Sequence, residues 1–181
     1  MPRIFDNIEK SLLPVLQETL QVAERADFCV GYFNLRGWRH LAGHVDRWAG
    51  GDGQCCRLLV GMHVTPTDEL RRALRAQDDE DALDNQTAIR EKRRIAEEFR
   101  QQLTFGIPTN EDEAALRHLA EQLHNKKLFV KVYLRHPLHA KLYLLHRQDA
   151  NNPVTGFLGS SNLTLAGLAK QGELNVDVLE H

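Results

Sequence analysis

Two short segments hold the residue types best suited to chemistry. His139-Ala140-Lys141 lies in an apolar, strand-like run, and Gly159-Ser160-Ser161-Asn162 begins eighteen residues after that lysine. An imidazole can serve as nucleophile or acid, an ammonium is a compact cation, and hydroxyls and amides are donors. Such a set can hold and attack a phosphodiester without a metal. Residues two apart in a strand share a face, so His139, Lys141, Tyr143 and Leu145 point one way and Ala140, Leu142 and Leu144 the other. That places His139 and Lys141 roughly 7 Å apart on one side, close enough for both to touch one phosphate. Gly159 is expected to let the backbone approach a ligand closely. Ser160 and Ser161 offer hydroxyls and Asn162 an amide. Either Ser161 or Asn162 suits the N-cap of the helix expected next, whose free amides and dipole favour an anion.

These segments need a scaffold, and the periodicity of the chain supplies one. Ile8, Leu12, Leu16, Leu20 and Ala23 recur at helical spacing from Asp6 to about Arg25, with Pro14 interrupting. Residues 27–34 read as a buried strand, Trp38 to Ala49 as a short helix and Arg57 to Met62 as a second strand. Another helix is expected from Asp68 to Arg75. Residues 76–126 are helical and highly charged. They include the acidic run Asp78-Asp79-Glu80-Asp81, a break at Gly106-Ile107-Pro108 and a cap formed by Asn110 with Glu113. Strands follow at Leu128–Leu134 and His139–Leu145, joined through Arg135-His136-Pro137. A strand end at Gly156–Gly159, a helix over Leu163–Lys170 and a last strand over Glu173–Val178 complete the chain. Helices and strands alternate at the front and strands cluster at the back. The fold class is therefore α/β: one domain with a mixed β-sheet flanked by helices.

Composition narrows the function classes. The chain has 181 residues, 42% hydrophobic and 27% charged, with a formal net charge of −2. This suits one globular domain and gives no whole-chain sign of nucleic-acid affinity. No apolar stretch is long enough to span a membrane and no signal-peptide pattern precedes the first helix. Cys29, Cys55 and Cys56 are odd in number and include an adjacent pair, which points to reduced thiols and a cytoplasmic protein. Cys29 reads as a small core residue. The end of the chain reads as cut: the domain occupies 1–178, and Leu179-Glu180-His181 is either native or the stub of a tag. A domain ending flush with a strand suggests a piece of a longer protein.

One stretch departs from the acidic balance. Between Glu121 and Asp149 there is no acid, while Lys126, Lys127, Lys131, Arg135, Lys141 and Arg147 lie there with His124, His136, His139 and His146. A basic stripe is a footprint for a phosphate-rich ligand.

The ordered pair of segments resembles the phospholipase D superfamily, whose members cleave phosphodiesters in lipids or nucleic acids. The match is His139-Ala140-Lys141, then Gly159-Ser160-Ser161-Asn162, then Glu173 in the next strand. The resemblance implies a phospholipase D-like fold and a mechanism in which two copies of the motif meet across a twofold axis. One histidine attacks phosphorus to form a phosphohistidine and the other protonates the leaving oxygen. It implies that His139 is nucleophile or acid and that Lys141, Ser160 and Asn162 are phosphate ligands. Glu173 would hold the histidine tautomer, and no metal or other cofactor is required. The family pattern reads His-x-Lys-x-x-x-x-Asp, and the Asp position is occupied here by His146. Strand parity turns position 146 away from His139, so an acid there would brace the sheet, and His146 reads as an ordinary surface residue. Only one motif is present, so a working site implies a homodimer. The single-motif form is similar to the nuclease branch and to the domain at the N-terminus of some bacterial helicases of the DEAD/DEAH or Swi/Snf type.

Three readings follow. The first is a metal-independent phosphodiesterase acting on nucleic acid and joined to helicase domains. The second is a non-catalytic nucleic-acid-binding module of a helicase or restriction system. The third is a metal site at His40, His44, Cys55 and Cys56, which the adjacency of the cysteines disfavours. Trp38, Trp48, Tyr32 and Phe33 are candidates for base stacking, although aromatics near strand ends more often belong to a core.

Overall fold

Asp6 and Asn7 decide where the first helix begins. The Asp6 carboxylate accepts from the amides of Ile8, Glu9 and Lys10, and these bonds hold its pKa below the usual value. Asn7 adopts a positive φ of 59° and accepts from the Leu12 amide through Oδ1. The backbone from Asp6 to Lys10 is thereby drawn into a turn, and helix α1 spans Leu12–Val22 instead of starting at Asp6. Pro14 falls in the first turn of α1, where its missing N–H removes no helical bond. Before the turn, Ile4–Phe5 forms a two-residue strand, β1, too short to read from periodicity.

The computed structural model describes residues 2–61, 85–104, 109–133 and 138–179. The helix expected over 68–75, the acidic run at 78–81, the Gly106-Ile107-Pro108 break, the Arg135-His136-Pro137 connection and the terminal Glu180-His181 lie outside the described residues. Beyond α1 come β2 (Arg25–Val30), α2 (Leu35–Val45), β3 (Cys56–Val60), α3 (Asn85–Leu103), α4 (Asn110–His124), β4 (Leu128–Val132), β5 (Lys141–His146), β6 (Val154–Gly159), a π-helical turn (Ala166–Lys170) and β7 (Asn175–Leu179). Strand β7 includes Leu179, which pairs with Thr155, one residue past the boundary expected at 178.

The strands make one seven-stranded mixed sheet in the order β1-β7-β6-β5-β2-β3-β4. Strands β2, β3 and β4 are parallel, as their helical connections require. Strands β5, β6, β7 and β1 pair antiparallel. The mixed sheet flanked by helices in a single domain is as the sequence implied.

Alternation then sorts the faces. Phe28 and Val30, Leu58 and Val60, Tyr143 and Leu145, and Phe157 are buried in one core with Leu16, Leu20, Trp38, Leu41 and Leu119 of the helices. Trp38 donates to Gln122 Oε1 at 2.9 Å and Trp48 to the Ala23 carbonyl at 2.8 Å. Both indoles are buried with their N–H satisfied, so they are core anchors and not stacking platforms. Phe33 is buried too. Cys29 is only half-buried and sits on the opposite face of β2 from Phe28 and Val30, contrary to the core reading.

Helix α4 is capped one residue earlier than expected. Thr109 Oγ1 accepts from the Asp112 amide, and Asp112 accepts from the Thr109 amide, completing a capping box. Among the described residues, no helix is long and apolar enough to cross a membrane.

Candidate active site

Strand β5 carries two anchors on its buried face. Lys141 is 5% exposed and Tyr143 1% exposed. The Tyr143 hydroxyl donates to the Ser161 carbonyl at 2.8 Å, which ties the Gly159–Asn162 segment to β5. Burial pushes the Tyr143 pKa far up, aided by the charge of Glu173, so the phenol stays a donor. Lys141 Nζ donates to His139 Nδ1 at 3.0 Å and to the His139 carbonyl at 3.1 Å. His139 lies just before β5 and is exposed. The shared face predicted for His139 and Lys141 is real in effect: the side chains touch.

An ammonium has only donors, so Nδ1 must accept and the neutral ring carries its proton on Nε2. Glu173 was expected to set this tautomer from within the last strand. It lies two residues before β7, and its charge acts on Lys141 instead. The Lys141 ammonium is held below its ordinary pKa by burial, and Glu173 offsets part of that effect.

The four residues of Gly159–Asn162 do different work. Adding a Cβ at Gly159 would bring it 2.2 Å from the Leu174 carbonyl oxygen and 2.5 Å from Asn175 Oδ1. Its small size therefore admits strand β7, not a ligand. Ser160 Oγ accepts from the Leu174 amide at 2.9 Å, locking the same edge. Ser161 is fully buried, and its hydroxyl accepts from Asn175 Nδ2 at 2.7 Å. These contacts make Gly159 and Ser161 structural, against the expectation that they touch substrate. Asn162 differs. Its Oδ1 accepts from the Tyr32 amide at 2.9 Å, which fixes the amide and leaves Nδ2 without a protein acceptor among the described residues.

The next helix also departs from expectation. It is a five-residue π-helical turn, and Thr164 Oγ1, not Ser161 or Asn162, accepts from the Gly167 amide at 2.9 Å. So short a turn supplies no useful dipole.

His139 and Asn162 line one open cavity of about 680 Å³ with Tyr32, Arg36, Lys170 and Glu173. Arg36 and Lys170 lie far from the basic stripe in sequence, and nothing in their local pattern marks them. The stripe itself disperses. Lys127 donates to the Asp46 carbonyl and Arg147 to the Asn152 carbonyl at 2.6 Å. Lys131 lines a separate hollow with Cys29 and Arg57, and Arg135 and His136 lie outside the described residues.

Gly31 is the residue that sequence reasoning passed over. A Cβ there would lie 2.8 Å from the Leu138 carbonyl oxygen and 3.4 Å from both His139 Cα and Asn162 Oδ1. Its absence lets the His139 backbone and the Asn162 side chain converge at the end of β2. His146 faces away from the site, as parity requires, but it is no idle surface group: Nε2 is 2.9 Å from Asp27 Oδ2 and 3.1 Å from Arg25. His40 and His44 lie on α2 and Cys56 opens β3. Among the described residues, no group of three or more His, Cys, Asp or Glu side chains is placed to hold a metal ion.

No family sequence model and no curated protein matches this chain. Solved structures do. A phospholipase D family member, Nuc from Salmonella typhimurium, superposes with a TM-score of 0.51 at 13% identity, covering 99% of this chain and 82% of that one. NucT from Helicobacter pylori does so with a TM-score of 0.50 at 11% identity, covering 98% and 84%. At these identities the likeness establishes the fold, which is phospholipase D-like.

Proposed function

We propose that the chain is a metal-independent phosphodiesterase acting on nucleic acid, and that its site is completed by a second copy. The observation that carries this reading is the contact of Lys141 Nζ with His139 Nδ1 at 3.0 Å, beside the amide donors of Asn162, which have no protein acceptor among the described residues. An exposed imidazole, a buried cation and a fixed amide converge where a phosphate can sit. The phospholipase D-like fold supports the same reading.

In the proposed sequence a phosphate oxygen draws Lys141 away from Nδ1, and Asn162 Nδ2 donates to a second oxygen. The ring proton then moves to Nδ1, and the Nε2 lone pair attacks phosphorus. A P–N bond forms, the P–O bond to the leaving group breaks, and His139 of the second copy protonates that oxygen. Water, deprotonated by the same group, then cleaves the P–N bond. Lys141 and Asn162 stabilise the charge gathered in each pentacoordinate state. The lysine stays a cation partly because Glu173 acts on it. Attachment to helicase domains rests on the sequence resemblance alone.

Cleavage of a labelled oligonucleotide in EDTA, with oligomeric state measured alongside, tests this reading. His139→Ala should reduce the rate by at least about 10³-fold. A variant that still cuts briskly sinks the proposal, as does an active monomer. A second reading, a binding module without turnover, is favoured by one observation: Nδ1 is occupied by Lys141, with no carboxylate hydrogen-bonded to it among the described residues. Oligonucleotide binding that survives His139→Ala, without cleavage by the native chain, would select it.

A further inference from the structure

The cavity holds two cations that the reaction itself does not use. Arg36 reaches it from the first turn of α2, and Lys170 from the end of the π-helical turn. They come from separate segments laced together below the site: Leu163 N–H donates to the Tyr32 carbonyl at 3.1 Å, and Asn34 N–H to the Leu163 carbonyl at 3.2 Å. The positions of Arg36 and Lys170 relative to Asn162 are therefore fixed by main-chain bonds.

The two cations are held differently. Arg36 donates to Asp112 through Nε and Nη2 at 3.4 and 3.3 Å. Asp112 is also the acid of the α4 capping box, so its place is set by the helix and it orients the guanidinium. Lys170 is exposed and forms no ion pair among the described residues. Against these cations the cavity sets one carboxylate, Glu173, whose charge acts on Lys141. Its apolar residues are Leu165, Ala166 and the Tyr32 ring, beside Gly167. Two cations beside His139 and Asn162 match a ligand that carries further phosphates next to the reacting one.

We infer that Arg36 and Lys170 are the flanking-phosphate contacts of this site and select a polynucleotide over a phospholipid or a minimal diester. This rests on the phosphodiesterase reading and adds the residues that determine specificity. Both contacts are with backbone phosphates, so recognition is independent of base sequence and sensitive to salt.

The test compares three substrates in EDTA: a fluorescent oligonucleotide, bis(4-nitrophenyl) phosphate, and vesicles of phosphatidylcholine. The native chain should prefer the oligonucleotide. In Lys170→Gln and Arg36→Gln, the ratio of kcat/KM for the oligonucleotide to that for the small diester should fall about tenfold each. The slope of log KM against log salt should lessen by about 0.7 for each contact removed from a single strand. An unchanged ratio, or vesicle cleavage as efficient as oligonucleotide cleavage, would overturn the inference. If the native chain cleaves nothing, the phosphodiesterase reading fails. Fluorescence anisotropy with the same oligonucleotide then decides: weaker binding and a shallower salt slope support the two contacts, and unchanged binding refutes them. Lys170 is exposed, so its variant keeps the test sound even if Arg36→Gln does not fold.

Discussion

Lys141 Nζ lies 3.0 Å from His139 Nδ1, so the cation holds the imidazole with its proton on Nε2. Attack through Nε2 needs the other tautomer. A phosphate that draws the lysine away would therefore prepare the ring as it binds. Nitrogen-15 spectra of the free protein should show His139 as the Nε2–H form. Tungstate or vanadate, which imitate phosphate, should convert it to the Nδ1–H form, and Lys141→Met should leave a mixture of both. A ring already in the Nδ1–H form without ligand would refute this account.

Glu173 acts through Lys141. Burial lowers the lysine pKa and the Glu173 charge raises it in part. The working form is the protonated one, so activity should fall as pH rises through the lysine's value. Glu173→Gln removes the raising influence and should move the alkaline limb of the kcat/KM profile to lower pH. A loss of rate that is the same at every pH would instead mark Glu173 as a merely structural residue.

Gly159 belongs to the sheet. A methyl at this position would sit 2.2 Å from the Leu174 carbonyl oxygen, and backbone there cannot yield without shifting β7. Gly159→Ala should destabilise the fold by about 1–3 kcal/mol. The melting temperature should drop by about 2–4 °C for each kcal/mol in a chain of this size. The same strand shift should carry Asn175 away from Ser161, visible as faster exchange of the Ser161 amide. A variant as stable as the native chain would return Gly159 to the ligand-approach role.

The sheet was legible in the sequence because alternation and helical spacing report directly on which faces are buried. Residues 27–34 read as a buried strand and Tyr143 and Leu145 share a face on those grounds, and the contact of His139 with Lys141 follows from the same parity. What escaped were features made by side chains far apart in the chain. Asp6 and Asn7 delay α1 by taking up local amides, and Asn175 claims Ser161 from another strand. Arg36 and Lys170 become neighbours of His139 only once the sheet is folded. Periodicity carries no trace of such pairings. Gly31 could have been suspected as a glycine closing an apolar strand, but its purpose needed the position of Leu138.

His146, on the face of β5 away from the candidate site, leads to a further prediction. His146 Nε2 meets Asp27 Oδ2 at 2.9 Å, and Arg25 and Arg57 bind the same carboxylate at 3.1 and 2.7 Å. A carboxylate on β2 therefore gathers three partners from β2, β3 and β5. Burial pushes the Asp27 pKa up, but the hydrogen bond from Arg57 and the charges of both arginines outweigh it, and His146 adds to them, so the value is lowered. A lowered carboxylate stabilises the fold fully above its unfolded pKa, about 3.9, and loses that stabilisation as pH falls through the folded value. The change His146→Asp would put a second carboxylate opposite Asp27 in place of the imidazole that now contacts it. Thermal melts at pH 7 should show a clear loss of stability for His146→Asp. Because His146 lies on the face away from His139, the folded single variant should keep its place in the phosphodiester assay. If His146→Asp alone melts at the native temperature, the Asp27–His146 pair does not brace the sheet.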